Sequence, residues 1–333
     1  MGRPLTGSGL VAELRHVAAT ADDPALREAA CRRLAMAARL DAEHAVGVVS
    51  PHVQSAHPDR WWGLAPLSEA APLVGDGETV RVSPSKVESF DTCSLRWFLE
   101  SAVGVAGSSG PAQVVGSLVH ALAELGSGAD ALDEAALTAR LDEVLPELDL
   151  GAPWMVRRRR QEAVDQLRKF LDWQRAAGRE LVGTELAVEV PLSGSAVLSG
   201  RVDRLERDAD GRAVVVDLKT GSSKPSKADL ARHPQLGVYQ FAVALGAFAE
   251  QHGLTEPGGA ALLQLKEGRK ADEQLQPALA DDGDPDWARG LVERVVEGMS
   301  GSDFPATVND HCSRTCAVRA SCPAWPEGES VLR

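Results

Sequence analysis

Long apolar runs are missing from this sequence: none approaches the ~20 residues a bilayer-spanning helix needs, and no basic segment followed by an apolar stretch and a cleavage site opens the chain. A cytoplasmic protein is expected. Cysteines are few and odd in number, five, which without an export signal argues against a disulfide framework and leaves metal binding, chemistry or burial as their uses. No Gly-x4-Gly-Lys-[Ser/Thr] loop occurs: Gly107–Gly110 lacks the lysine, and Thr220–Ser223 follows Lys219 in the wrong order, so ATP hydrolysis has no seat here. Positive charge is also short. With 35 basic against 48 acidic residues the net charge is -13, which predicts weak affinity of the isolated chain for polyanions. A carboxylate-metal site can still bind a phosphate within an acidic protein, and a basic partner can supply a track.

What is present suffices for a full core: 333 residues, 44% of them hydrophobic, in one large domain or two smaller ones. Residues 1–80 read as an appendage. They hold a helical region around Val11–Ala45, in which Cys31 is expected as a buried small hydrophobe, and a segment through Pro58-Asp59-Arg60-Trp61-Trp62-Gly63. From Ser83 onward the pattern is regular. Ser83 or Ser85 caps a helix beginning near Pro84, whose apolar side carries Val87, Phe90, Leu95, Phe98 and Leu99. Helical periodicity returns at Val114–Leu125, Leu132–Leu145 and Met155–Ala176. The run Arg157-Arg158-Arg159-Arg160 offers a local phosphate track, although a helix spreads those side chains around its surface. Strands follow at Glu185–Pro191, Val197–Leu205 and Ala213–Lys219, then a helix Asp229–Ala249, a strand Ala260–Lys266 and a helix near Trp287–Met299. That order describes a compact α/β core with a mixed sheet and flanking helices.

The most informative segment is Gly200-Arg201-Val202-Asp203-Arg204, followed by Val214-Val215-Val216-Asp217-Leu218-Lys219-Thr220-Gly221. Alternate side chains of a strand share a face, so Asp217 and Lys219 point one way while Val216 and Leu218 face another layer. Asp203 approaches them across a hairpin-like pairing. Asp203 and Asp217 then offer hard oxygen ligands for Mg²⁺ or Mn²⁺, and Lys219 can orient a water or stabilise a pentacovalent phosphoryl transition state. A solitary Asp-x-Lys is more often a solvated pair at a strand end, so further residues must agree. His120, in Gly116-Ser117-Leu118-Val119-His120, can bind metal or touch phosphate. Gln235 and Tyr239, the single tyrosine, lie four apart on the helix after the Asp-x-Lys strand and face one direction. Either Glu185 or Glu189 can help position metal or water from the preceding strand.

Three cysteines crowd the C-terminus as Cys312-x3-Cys316-x5-Cys322, too short for a self-contained finger, and Cys93 completes a set of four if the first helix meets that end. Four thiolates suit an iron–sulfur cluster or structural Zn²⁺, and spacing alone does not choose between them. Either would staple a long chain segment closed.

Taken in order, these motifs resemble the RecB-like branch of the PD-(D/E)XK nuclease superfamily. Gly116–His120 resembles its histidine motif, Gly200–Arg204 its first aspartate motif, Asp217–Gly221 its Asp-x-Lys motif and Gln235–Tyr239 its glutamine-tyrosine motif, over roughly Val82 to Pro323. The resemblance implies a restriction-endonuclease-like α/β core, metal held by His120, Asp203 and Asp217, catalytic support from Lys219, and substrate-side contacts from Gln235 and Tyr239. Phe90–Trp97 and Cys316–Pro323 look like the two parts of the [4Fe-4S] site in the AddB and AdnB types, which implies cluster ligation by Cys93, Cys312, Cys316 and Cys322. Three residues separate Cys312 from Cys316 where that family has two, and His311 is an alternative ligand. Residues 1–80 resemble the end of a helicase region, with 81–333 as the nuclease domain. The function implied is DNA exonuclease or single-strand nuclease action in end resection and recombinational repair, beside a helicase or helicase-nuclease subunit and near the nucleoid. A noncatalytic DNA-end-binding module and a zinc-stabilised adaptor are the alternatives.

Overall fold

The computed structural model describes residues 7–45, 71–75, 77–105, 110–312 and 316–325. The Trp61-Trp62 segment lies outside them. Near the N-terminus, α1 (Gly7–Thr20) and α2 (Pro24–Ala45) pack on each other, where one helical region was expected. Asp23 accepts a hydrogen bond from Ala25 N at 2.8 Å at the start of α2. Cys31 is exposed on α2, which corrects the expectation that it is buried.

The main body opens with strand β1 (Val80–Val82) and helix α3 (Pro84–Thr92), capped by Ser83, whose hydroxyl accepts from Lys86 N at 3.3 Å. The expected single helix breaks at Cys93, whose φ of -166° is extended, before α4 (Ser94–Trp97) and a wide helical turn at Phe98–Ala102. Next come α5 (Pro111–Leu125), α6 (Glu134–Val144) and α7 (Pro153–Ala176). Strands β2 (Glu180–Pro191), β3 (Ala196–Arg207) and β4 (Ala213–Lys219) follow, joined by the turns at Ser193–Ser195 and Asp208–Gly211.

The helix expected over Asp229–Ala249 is three pieces: α8 (Lys227–Ala231), α9 (Pro234–Ala244) and α10 (Ala249–His252). Pro234 pushes His233 into an extended conformation with ψ 119°, which stops α8, and Gly246 at φ 87° turns the chain after α9. Strand β5 (Pro257–Gln264), strand β6 (Asp272–Gln276) and α11 (Trp287–Ser300) complete the fold.

Six strands form one mixed sheet in the order β1-β3-β4-β5-β6, with β2 paired to the other edge of β3. β2–β3, β3–β4 and β5–β6 are antiparallel, and β1–β3 and β4–β5 are parallel. Helices cover both faces. On one side Val215 and Val202 join Leu236, Val238 and Phe241 of α9 and Leu291, Val292 and Val295 of α11; on the other, Val214, Val216 and Leu218 meet Val119, Leu141 and Phe170 of α5, α6 and α7. Glu206, fully buried, links the layers: it accepts from Arg204 and Arg179, each at 2.6 Å, and Arg179 also reaches Glu273 on β6. Losing one partner of such a buried set leaves a charge uncompensated, at about 3–5 kcal/mol.

Helix α9 is held tightly because Gly237 has no side chain: a Cβ there would come within 2.2 Å of the Trp287 indole on α11. Gly237→Ala is therefore expected to destabilise the protein by about 1–3 kcal/mol. Urea denaturation should show the loss, and Trp287→Leu in the same background should recover most of it.

Candidate active site

β3 loses its partner in mid-strand. β1 pairs with it at Ala196–Leu198 and β4 at Arg204–Arg207, so residues 199–203 have no strand on that edge. Unpaired backbone groups in a buried sheet must find other partners. Asp203 Oδ2 accepts the Leu218 N–H at 2.8 Å, and the Tyr239 hydroxyl donates to Arg201 O at 3.3 Å. The opening between β3 and β4 is thus lined by polar and charged side chains. Side-chain alternation also slips there, because Val202 and Leu205, three apart, both face the α9 core.

His120 on α5 and Glu185 on β2 converge on Asp203 in this opening. His120 Nδ1 stands 3.4 Å from Asp203 Oδ2, and one ligand atom from each of the three residues lies within 4.8 Å of the others. Among the described residues this is the group placed to hold a metal ion. Thr184↔Arg204 and Leu186↔Val202 pairing sets Glu185 opposite Asp203, yet Glu185 has φ 50°, a left-handed conformation that costs a non-glycine residue about 1–3 kcal/mol. Burial and the Asp203 charge push the Glu185 carboxyl above its ordinary range. Burial lowers the His120 pKa, but its hydrogen bond to Asp203 and the charges of Asp203, Asp217 and Glu185 outweigh this and raise it. Two carboxylates and an imidazole so placed suit a hard divalent cation, which would relieve the crowding of negative charge.

Asp217 and Lys219 stand beside this group on the α9 face of β4. Asp217 is 4% exposed, and its carboxyl is pushed up to about 6 by burial, with the nearby Asp203 charge adding to the rise. Lys219 Nζ lies 2.8 Å from Asp217 Oδ2 without hydrogen-bond alignment, leaving that oxygen otherwise unpartnered. The ammonium donates instead to Gln235 Oε1 at 2.8 Å, while Gln235 Nε2 donates to Asp217 Oδ1 at 2.8 Å. Lysine only donates and aspartate only accepts, so the Gln235 amide has one orientation. Burial lowers the Lys219 pKa, but Asp217, with Glu88 and Asp203, more than offsets this.

Tyr239 Oη also stands 3.4 Å from Asp217 Oδ1, which shares the hydroxyl's single proton with Arg201 O, and burial together with Asp217 raises the Tyr239 pKa. Gln235 and Tyr239 are each 5% exposed and turned toward Asp217 and Lys219.

An open groove of about 510 Å³ fronts the metal-capable group, walled by α5, β2, β3 and Thr220. Gly116 lets this wall close, since a Cβ would come within 2.7 Å of Thr220 Oγ1. Three contributors have no role assigned by the sequence motifs. Glu124 lies one helical turn after His120 and lines the groove, a signal available from i,i+4 spacing. Arg201 lines it too and reaches Glu185 at 3.4 Å, and Glu88 acts on Lys219 from α3. Neither contact has a sequence signature.

The C-terminal segment lies against the α3–α4 junction. Pro305 O accepts from the Ser94 hydroxyl at 2.9 Å and from Leu95 N at 3.3 Å, and Asn309 Nδ2 donates to Thr92 O at 3.1 Å. Cys93, Cys312 and Cys322 are buried and Cys316 half-buried. Burial raises the Cys322 thiol pKa, and Cys93, Cys316 and Cys312 are close enough to raise it further.

A sequence profile for the PD-(D/E)XK nuclease superfamily matches residues 81–323. No curated protein matches the chain. Among solved structures, "Crystal structure of SSO0001" is similar at 14% identity and a TM-score of 0.34, with 75% of this chain and 89% of that one covered.

Glu185 combines strain with a crowded carboxylate, and glycine would relieve both. Glu185→Gly is expected to hold or raise Tm by thermal denaturation, while weakening Mn²⁺ binding by about tenfold or more by calorimetric titration. A lower Tm with unchanged Mn²⁺ affinity would remove Glu185 from the metal-binding group.

Proposed function

The chain belongs to the PD-(D/E)XK nuclease superfamily, and we propose that it is a Mg²⁺- or Mn²⁺-dependent deoxyribonuclease that hydrolyses DNA ends or single strands in end resection and recombinational repair. The observation that carries this reading is the hydrogen-bonded chain Lys219–Gln235–Asp217, set beside the His120, Glu185 and Asp203 group at an open groove. In this reading His120, Asp203, Asp217 and Glu185 hold the divalent ion. When bound, the ion neutralises charge developing on the scissile phosphate and lowers the pKa of a water ligand.

The chain's own residues supply the rest. Lys219 stays protonated because its carboxylate neighbours outweigh burial, and it presents a fixed cation beside the phosphate position. Gln235 sets the distance between that cation and Asp217, and Tyr239 closes the far side of the carboxylate. Both are positioning residues. Without a cation, three carboxylates against one lysine repel a phosphate, so substrate binding in the groove is coupled to metal binding.

Residues 81–333 form the nuclease domain in this reading, and 1–80 resemble the end of a helicase region. Net charge of -13 favours dependence on a helicase or helicase-nuclease subunit for processive action. Cys93, Cys312, Cys316 and Cys322 are assigned to a [4Fe-4S] cluster whose role is structural. Their convergence at the α3–α4 junction supports a shared ligand. The preference for a cluster over zinc rests on the resemblance of Phe90–Trp97 and Cys316–Pro323 to the two parts of such a site, since four thiolates suit either.

Asp217→Ala and Lys219→Ala should each lower DNA cleavage by about 100-fold or more. Both should remain folded, since the Asp217 carboxylate is held against its burial. Near-parental cleavage by either purified variant, with contaminating nuclease excluded, would defeat the assignment.

Anaerobically purified protein should contain iron and acid-labile sulfide in near-equal amounts. Cys93→Ser or Cys322→Ser should release both and lower Tm, while Cys31→Ser should spare them. Zinc without sulfide would reject the cluster and keep the staple.

A further inference from the structure

Beside Lys219 the surface carries a feature that hydrolysis does not use. Leu265 N donates to Lys219 O at 3.0 Å just after β5 ends, and the exposed loop 266–270 follows. Helix α7 holds this junction from behind. The buried Lys169 ammonium donates to Leu265 O at 3.1 Å and Lys266 O at 3.2 Å, and Gln166 Nε2 donates to Thr220 O at 3.3 Å on the groove wall. Toward its N-terminus α7 continues along the surface, where Trp154, Met155, Arg158, Arg159, Glu162 and Lys266 enclose a pocket of about 230 Å³.

The pocket is unusual for a chain of net charge -13. Trp154 is 60% exposed, an indole left in water beside cations. Arg158 is paired with Glu162 at 2.9 Å and Arg160 with Asp142 at 2.5 Å, which accounts for half of the arginine run. Arg157 and Arg159 make no ion pair among the described residues, and neither do Lys266, Arg269 and Lys270 of the loop. The Nε of Arg159 is buried without a hydrogen-bond partner. An exposed aromatic ring flanked by unpaired cations matches what a nucleic-acid strand offers, a base face between phosphates. In a duplex those faces are covered by their neighbours.

We infer that this pocket is a subsite for single-stranded DNA, in which Trp154 stacks one base while Arg159 and Lys266 hold adjacent phosphates; its substrate rests on the nuclease reading above. Gln166 lies seven positions after Arg159, about 10 Å along the helix. The subsite therefore sits roughly three nucleotides from the groove at ~3.4 Å per stacked base. It guides the strand between the reaction centre and the outer surface.

The test is anisotropy of a fluorescein-labelled oligothymidylate of about 20 nucleotides, bound to the full chain without divalent metal so that no cleavage occurs. Trp154→Ala should weaken binding about tenfold, and Trp154→Phe, which keeps a stacking face, should retain most of it. Arg159→Ala combined with Lys266→Ala should reduce the slope of log Kd against log salt by about 1.4, the share of two phosphate contacts on a single strand. A blunt duplex should be insensitive to Trp154→Ala. With Mg²⁺, the Trp154→Ala variant should raise KM on the long strand and leave kcat unchanged. Parental affinity in Trp154→Ala, equal losses on duplex and single strand, or no recovery with phenylalanine would overturn the subsite. Strand binding that follows this pattern in a protein that cleaves nothing would refute the nuclease reading and leave the subsite standing.

Discussion

The parting of β3 from β4 is the constraint on which the site depends. Beyond the Arg204↔Val216 pair the two strands no longer exchange backbone hydrogen bonds, and a sheet buried under helices cannot leave that edge unsatisfied. The Asp203 carboxylate and the Tyr239 hydroxyl take up the task at Leu218 N and Arg201 O. One carboxylate therefore serves both the fold and the metal-capable group. The gap it props open faces the groove walled by α5, β2, β3 and Thr220.

The site is arranged at some cost to the molecule. Glu185 occupies a left-handed backbone conformation, and its carboxyl and that of Asp217 are both raised by burial and by the charge of Asp203. Such groups are held by their surroundings rather than by their own preferences. Surrounding structure supplies the hold: α5 brings His120, α9 brings Gln235 and Tyr239, and Gly237 lets α9 lie against Trp287. Behind the opening, the buried Glu206 between two arginines ties β3 to β6 through Arg179 and Glu273, which reach the surface.

At the other end, the C-terminal segment makes the domain's extremities neighbours. Hydrogen bonds from Ser94, Leu95 and Asn309, with the packing of Phe304 on Phe98 at 4.5 Å, hold it to the α3–α4 junction. Cys93 stands at the break between those helices, near enough to Cys322 of the tail to raise its thiol pKa. The break that upset the expected long helix is thus the feature that presents the fourth cysteine.

By itself the sequence determined what is local. Side-chain alternation along β4, buried up to Lys219, placed Asp217 and Lys219 on one face, and i,i+4 spacing paired Gln235 with Tyr239. Motif order carried the fold class, because each motif sits on the element its own periodicity dictates. Strand β6 was not legible. Its Asp-Glu-Gln-Leu-Gln sequence shows no apolar alternation, and its buried Gln276 is satisfied by Gln240, Leu230 and His233 while Gln274 donates to Pro225 O, partners far away in the chain. The parting of β3 and β4, the left-handed Glu185 and the inward turn of Gln235 and Tyr239 were likewise decided only by tertiary structure. Each depends on which backbone groups another segment leaves unpaired, and no residue pattern within a single element encodes that.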